Sequence, residues 1–103
     1  MTFDEYQAVA ESFSVFEHKC YPAASLMVEA AELADLFVKP LLRGDNVQIH
    51  RDEIISEAGD VLWNLAVLLK REGISFELVA QENIDKLIDR KKRGVIKGSG
   101  GNR

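Results

Sequence analysis

Two carboxylates, Glu57 and Asp60, interrupt an otherwise apolar run from Ile54 to Leu69 that is typical of a single long helix. Residues three apart lie on the same face of a helix, so both carboxylates can point at one target. Glu53 and Asn64 extend this strip by one turn in each direction. An isolated pair of this kind usually borders a solvated helix face. Its meaning therefore depends on whether other helices carry matching strips.

Two further helical segments carry such strips. Glu29 and Glu32 form a second acidic pair, and Asn83, Lys86 and Arg90 share one face of a later segment. Four converging carboxylates cannot all stay ionised without a compensating cation, so either their pKa values rise or hard divalent ions bind. Oxygen ligands favour Mg²⁺ or Mn²⁺ over zinc, and Mg²⁺ is often shared with substrate phosphates. The combination is typical of metal-assisted phosphoanhydride hydrolysis.

The elements that must position these side chains are four helices. We expect an all-α, four-helix, antiparallel bundle-like subunit, since no strand-like alternation is present and the connections are short. The first helix is predicted to start at a Thr2 to Glu5 capping box, and the second to run from Pro22 until Pro40 and Gly44 stop it. The third is predicted to span about Asp52 to Arg71 and to stop at Gly73. The fourth is predicted to follow an N-cap at Ser75 and to stop at Gly94. The aromatic-rich stripe of the first helix is predicted to be core: Phe3, Tyr6, Val9, Ala10, Phe13 and Phe16.

Length and composition set the class of molecule. With 103 residues, 47% of them hydrophobic, the chain is expected to form one domain over residues 1–94, followed by a flexible tail over 95–103. A net charge of −4 argues against a nucleic-acid partner, because phosphate-backbone affinity needs a basic face. No segment predicts a membrane span or a targeting signal. A single cysteine favours a reducing compartment, which makes the cytoplasm the expected location.

Several motifs together resemble the MazG-like all-α nucleoside triphosphate pyrophosphohydrolases, in their small single-domain form. They are Glu29–Glu32, Glu57–Asp60 with the continuation to Asn64, and Asn83–Arg90, and the resemblance extends over about Tyr21 to Gly94. It implies a helical enzyme that forms a tight homodimer, or a homotetramer built as a dimer of dimers. It also implies hydrolysis of a nucleoside triphosphate between the α and β phosphates, which yields a nucleoside monophosphate and pyrophosphate with Mg²⁺ as cofactor and Mn²⁺ as a possible substitute.

Carried over by position, the resemblance assigns metal binding and catalysis to four acids and contact with the triphosphate to three residues of the last helix. The acids are Glu29, Glu32, Glu57 and Asp60; the substrate residues are Asn83, Lys86 and Arg90. One of the glutamates is expected to act as general base, without a choice among them. Trp63 lies off the acidic strip, so we predict packing for its ring in preference to stacking on a base.

Three alternatives stay open at this stage. A sister enzyme that acts on phosphoribosyl-ATP has similar acidic pairs. A non-enzymatic helical oligomerisation module could use the same charges in salt bridges between subunits. A di-iron carboxylate bundle is disfavoured, because neither His18 nor His50 follows a glutamate by three residues.

Overall fold

A computed structural model describes residues 1–15, 17–18, 20–44 and 50–94, which fold into four α-helices. They are α1 (Phe3–Ser12), α2 (Cys20–Arg43), α3 (Arg51–Arg71) and α4 (Phe76–Arg93). The described part of the chain contains no strand. The prediction of an all-α subunit with four helices is therefore confirmed.

Short-range signals set most of the helix ends. The Thr2 hydroxyl accepts a hydrogen bond from the Glu5 N–H (3.1 Å) and the Glu5 carboxylate accepts one from the Thr2 N–H (2.9 Å), which completes the predicted capping box. At the start of α4, Ser75 Oγ accepts from the Leu78 N–H at 3.2 Å. Gly94 ends α4 with φ of 73°, a left-handed conformation that glycine adopts without steric cost.

The predicted start of α2 at Pro22 and the predicted stop at Pro40 were wrong, whereas the predicted stop at Gly44 is confirmed. The helix begins at Cys20, two residues before Pro22, and it continues through Pro40 to Arg43, where Gly44 adopts φ of 69°. A proline inside a helix removes one backbone hydrogen bond and crowds the preceding turn. Because α2 is 24 residues long and packs along α3, we attribute its continuation to packing that outweighs this local loss. The predicted connection at 45–49 and the tail at 95–103 lie outside the described residues.

The buried core of the described chain is small. Its hydrophobic members are Ala10, Ala66, Val67 and Phe76. The predicted core stripe of α1 is only partly buried, since Phe3, Val9 and Phe13 remain 46%, 54% and 68% exposed. The helix ends at Ser12, which leaves Phe13 at the cap, while Phe16 lies outside the described residues. The prediction that the stripe is core is therefore confirmed for Ala10, with Tyr6 packed against the core, and it is wrong for Phe3, Val9 and Phe13.

The helices form two packed groups that share α3. One face of α3 packs along α2, and α1 packs against both α3 and α4. Among the described residues, no Cα atom of α2 lies within 8 Å of a Cα atom of α1 or α4. Helix α1 thus bridges α3 and α4.

Buried polar contacts fix α1 in that position. Gln7, only 3% exposed, donates through Nε2 to the carbonyls of Ala66 (3.2 Å) and Ile74 (2.9 Å). Its Oε1 accepts from the Phe76 N–H at 3.0 Å. At the other end of α1, Trp63 Nε1 donates to the Ala10 carbonyl at 2.9 Å. Each bond joins residues far apart in sequence, so together they hold α1 against α3 and against the start of α4.

The isolated chain has a large surface for its mass. Its accessible area is 7673 Å², whereas a compact monomer of this mass exposes about 5,800 Å². Its radius of gyration is 16.3 Å, compared with about 13 Å for a compact domain of 100 residues. Large apolar side chains are exposed on two helices: Met27, Val28, Phe37 and Val38 on α2, and Leu78, Ile84 and Ile88 on α4. None of the helices in the described ranges has both the length and the apolar composition needed to cross a bilayer.

Candidate metal centre

The packing of α2 along α3 brings three of the predicted acids together. One carboxylate oxygen each from Glu29, Glu57 and Asp60 lies within 4.8 Å of the others. Glu57 and Asp60 share a face of α3 because they are three residues apart, and Glu29 faces them from α2. Three oxygen ligands at this separation can surround a single cation.

Glu32, the fourth predicted acid, lies at the rim of this group. Its carboxylate raises the pKa values of both Glu29 and Glu57, although its own side chain is exposed. Glu32 therefore acts on the group electrostatically, while the other three acids supply the oxygen atoms that lie within 4.8 Å of one another.

The electrostatics of the group agree with this geometry. Burial, followed by the nearby charge of Glu32, raises the pKa of Glu29, and Asp60 and Glu57 add to the effect. Burial and Glu32 likewise raise the pKa of Glu57, with smaller contributions from Asp60 and Glu53. Every charged group that shifts these two pKa values is another carboxylate. The ionised forms of Glu29 and Glu57 are thus disfavoured unless a cation binds beside them.

Two oxygen atoms of the group test whether a metal ion fits. Glu29 Oε2 and Glu57 Oε2 are buried, and neither has a hydrogen-bond partner among the described residues. Buried acceptors without a partner are costly, so their presence points to a ligand that completes them. A donor set made only of carboxylate oxygens suits a hard divalent cation, and it lacks the nitrogen and sulfur ligands that zinc prefers. The residues present therefore fit the expected ion.

Asn64 continues the acidic strip into the protein interior. It is 3% exposed, and its Nδ2 donates to the Asp60 carbonyl at 2.9 Å. Its Oδ1 is buried and has no hydrogen-bond partner within the described ranges. At the opposite end of the strip, the exposed Glu53 acts on Glu57 through its charge alone. The strip predicted from the sequence thus changes from solvated to buried along α3.

The predicted substrate residues lie elsewhere in the isolated chain. Asn83 and Lys86 are exposed on α4 and line a surface pocket with Ile74, Leu78 and Val79. Arg90, one turn further on, is half-buried. In the described ranges no Cα atom of α4 lies within 8 Å of one in α2, so helix packing within one chain does not join this strip to Glu29 and Glu32.

Tyr6 of α1 is a neighbour of the metal centre that the sequence did not indicate. Burial raises the pKa of its phenol, and the charge of Asp60 raises it further, which places the two side chains within electrostatic range. Tyr6 also lines a surface pocket with Phe13 and Trp63. The predicted packing role of Trp63 is confirmed, because its ring packs against the core. No local pattern in α1 could have revealed the proximity of Tyr6 to Asp60, which lies 54 positions further along.

Fold and site together define an all-α protein with a carboxylate centre shared by two packed helices. Residues 19–95 match the family described as the MazG nucleotide pyrophosphohydrolase domain. The chain belongs to this family, which confirms the resemblance drawn from the motifs and indicates nucleotide pyrophosphohydrolase activity. Helix α1 precedes the matched segment.

The chain is also similar over its full length to a phage protein. It is 37% identical over 114 residues to the Gene 37 protein of Mycobacterium phage L5, and the alignment covers 100% of both chains. No solved structure matches the chain. The similarity over the whole length includes α1, which the family match leaves out.

Proposed function

We propose that the protein is a Mg²⁺-dependent hydrolase that converts nucleoside or deoxynucleoside triphosphates into the monophosphate and pyrophosphate. The observation that carries the proposal is the convergence of carboxylates from α2 and α3, with two buried oxygen atoms that lack partners among the described residues. These carboxylates lie within the segment that matches the nucleotide pyrophosphohydrolase family.

Each group has a defined task in the proposed reaction. Glu29, Glu32, Glu57 and Asp60 hold the metal, which supplies charge neutralisation for the phosphates and polarises water when it is bound. One of the glutamates accepts a proton from the water that attacks the α-phosphorus, and the bond to the bridging oxygen breaks to release pyrophosphate. Asn83, Lys86 and Arg90 bind the triphosphate through charge-assisted hydrogen bonds.

Two competing functions are less well supported. A helical module without catalytic activity would gain nothing from partly buried carboxylates whose charges repel one another, and such groups lower stability. Phosphoribosyl-ATP carries the same triphosphate chemistry, so it remains the second candidate substrate. Mn²⁺ is the natural substitute cation because it accepts the same oxygen ligands.

The proposed working form is a homodimer or homotetramer in the cytoplasm. The large apolar surface of the isolated chain supports association, since exposed patches of this kind usually mark interaction sites. The net charge of −4 supports the expectation that nucleic acid is not a partner, because binding to the phosphate backbone needs a basic face. A soluble nucleotide as substrate requires no membrane partner.

A product assay with a nucleotide panel tests the proposal. Canonical and damaged ribo- and deoxynucleoside triphosphates and phosphoribosyl-ATP are incubated with Mg²⁺, Mn²⁺ or EDTA, and monophosphate and pyrophosphate are quantified. We expect metal-dependent formation of both products from at least one nucleotide, and loss of at least about 100-fold in Glu57→Gln and Asp60→Asn. Glu17→Gln, which changes an exposed carboxylate outside the four helices, is the matched control.

Two results would overturn the proposal. Formation of diphosphate and orthophosphate would show cleavage at the wrong anhydride. Full activity in Glu57→Gln or Asp60→Asn would show that the carboxylate cluster is not the catalytic centre. Preference for phosphoribosyl-ATP over every other nucleotide would select the second candidate.

A further inference from the structure

Asn64 is a buried polar side chain whose place in the fold needs a physical reason. It is 3% exposed, and its Nδ2 donates to the Asp60 carbonyl at 2.9 Å. Inside α3 that carbonyl also accepts the backbone N–H of Asn64, because helical hydrogen bonds join residues four apart. The side-chain bond is therefore a second bond to the same oxygen, and the backbone does not need it.

The bond to Asp60 determines which end of the Asn64 carboxamide is free. A carbonyl oxygen only accepts hydrogen bonds, so the NH₂ group faces it and Oδ1 points elsewhere. Oδ1 is buried and has no hydrogen-bond partner within the described ranges. A buried acceptor without a partner is costly, so leucine would be more stable at this position unless a donor reaches Oδ1.

Asn64 lies on the side of α3 that carries the carboxylate centre. At 100° per residue, it shares an arc of about 60° with Glu57 and Asp60, whose carboxylates meet Glu29 of α2. Ala66, which belongs to the core beside α1, lies about 160° away around the same helix. Asn64 therefore extends the carboxylate centre inward and does not belong to the contact between α3 and α1.

Three buried oxygen atoms on α2 and α3 share the need for a donor or a cation. They are Glu29 Oε2, Glu57 Oε2 and Asn64 Oδ1, and none has a partner among the described residues. Side chains one helical turn apart have Cβ atoms about 5–6 Å from each other, a separation that one bridging water molecule spans. Water suits this place because it donates twice, and buried waters bond to polar groups that are otherwise unsatisfied.

We propose that Asn64 is a positioning residue of the metal centre. Its Oδ1 accepts a hydrogen bond from a water molecule, which donates its second hydrogen bond to a buried carboxylate oxygen of Glu29 or Glu57. The inference rests on the metal centre of the proposed function. Hydrogen bonds of this kind orient a carboxylate toward its ion, and their loss lowers metal affinity about 10–100-fold.

Replacement by leucine separates this role from a purely structural one. We expect Asn64→Leu to weaken the binding of Mg²⁺ and of Mn²⁺ about 10–100-fold. The Tm of the metal-free variant should equal or exceed that of the wild type, because an unsatisfied acceptor is removed. Isothermal titration calorimetry measures the affinity for each metal ion alone, and scanning calorimetry with EDTA measures the Tm.

Two further variants serve as matched controls. Asn64→Asp keeps an acceptor oxygen in a side chain of nearly the same shape, so we expect at least wild-type metal affinity. Gln7→Met replaces the other buried amide, which is also 3% exposed but bonds directly to backbone groups of Ala66, Ile74 and Phe76. We expect it to lower the Tm of the metal-free protein, as the loss of a structural amide should.

The outcomes separate this inference from the proposed function. A wild type that binds neither metal ion would overturn both. Metal binding without hydrolysis of any nucleotide would overturn the proposed function alone, since the affinities of the variants still decide the role of Asn64.

Two results would overturn only the inference. Asn64→Leu with wild-type metal affinity and a lowered Tm would assign Asn64 a purely structural role. An equal loss of metal affinity in Asn64→Leu and Asn64→Asp would show that the acceptor oxygen is not what supports metal binding.

Discussion

At the scale of single residues, the carboxylate centre has side chains that suit metal binding but lower the stability of the folded chain. Burial and mutual repulsion raise the pKa values of Glu29 and Glu57, which means that ionising them in the folded chain is unfavourable. A side chain selected for stability alone would be neutral at these positions. The arrangement is understandable if a divalent cation, supplied from solution, completes the site.

Replacement of Glu57 by Gln tests this balance. Since the folded-state pKa of Glu57 is raised above its ordinary value of 4.5, the charge costs stability as pH rises from 4.5 through the raised pKa. We expect Glu57→Gln to raise the Tm of the metal-free protein at pH 7 and to have little effect below pH 4.5. We also expect Mg²⁺ to raise the Tm of the wild type but not of the variant, because the variant lacks the Glu57 carboxylate that coordinates the ion.

Scanning calorimetry with EDTA and with Mg²⁺ measures both effects. Glu82→Gln makes the same chemical change on an exposed position of α4 and is expected to leave both quantities unchanged. A lower Tm for metal-free Glu57→Gln at pH 7 would contradict the view that the carboxylate is destabilising.

At the scale of elements, α1 determines how α3 and α4 diverge. It lies outside the segment that matches the family, yet its polar contacts reach the turn between α3 and α4 and the middle of α3. Gln7 and Asp4 carry most of these contacts. The geometry of the proposed site therefore depends on a helix that contributes none of the predicted ligands.

Gln7→Met should destabilise the fold by about 1–3 kcal/mol, because it leaves buried backbone groups at Ala66, Ile74 and Phe76 without their side-chain partner. The free energy of unfolding is measured by urea denaturation. Gln81→Met is the matched control: Gln81 is exposed and bonds only to Asp85 in the next turn, so we expect a change within about 0.5 kcal/mol. Equal effects of the two substitutions would argue that the hydrogen bonds of Gln7 do not stabilise the fold.

Asp4 contributes a pH-dependent part of the same attachment. The Glu77 N–H, bonded at 3.0 Å, and the Ser75 hydroxyl, bonded at 2.7 Å, hold the pKa of Asp4 below its ordinary value of 3.8. A lowered folded-state pKa stabilises the protein above the unfolded value, and this contribution disappears as pH falls through the folded one. We expect Asp4→Asn to be less stable than the wild type at pH 7.

The difference between Asp4→Asn and the wild type should shrink as pH falls below 3.8 and vanish only below the lowered folded-state pKa of Asp4. Thermal unfolding followed by circular dichroism across pH 2 to 7 measures it. A difference that stays constant across this range would show that the charge of Asp4 is not what anchors the start of α4.

At the scale of the whole molecule, the exposed apolar surface predicts association. Val38 is 42% exposed on α2, a helix that contacts only α3 in its own chain within the described ranges. We expect the wild type to sediment as a dimer or tetramer, and Val38→Glu to shift the equilibrium toward monomer by placing a charge in an apolar interface. Helical circular dichroism should be retained, since the position is outside the core of the single chain.

Sedimentation velocity over a range of concentrations measures this shift. Gln81→Glu adds the same charge to an exposed polar position of α4 and serves as the control. A wild type that sediments as a monomer at all concentrations would contradict the expectation of a homo-oligomer.

The sequence by itself determined what depends on neighbours within one helical turn. The capping box at Thr2, the cap at Ser75 and the glycine at 94 follow from local hydrogen bonds and backbone freedom. The pairing of Glu57 with Asp60 follows from helical periodicity. These features need no knowledge of the rest of the fold.

Tertiary structure decided everything that depends on contacts between distant residues. Local rules predicted stops at both Pro40 and Gly44, but the helix that packs along α3 continues through Pro40 and ends only at Arg43, before Gly44. The aromatic stripe of α1 predicted that this face is core. Instead, Gln7 bonds to carbonyls that lie 59 and 67 positions further along the chain, and these bonds place α1 between α3 and α4. Periodicity indicates which face of a helix is buried. It does not indicate which helix packs against that face, because this depends on the packing energy of the whole chain.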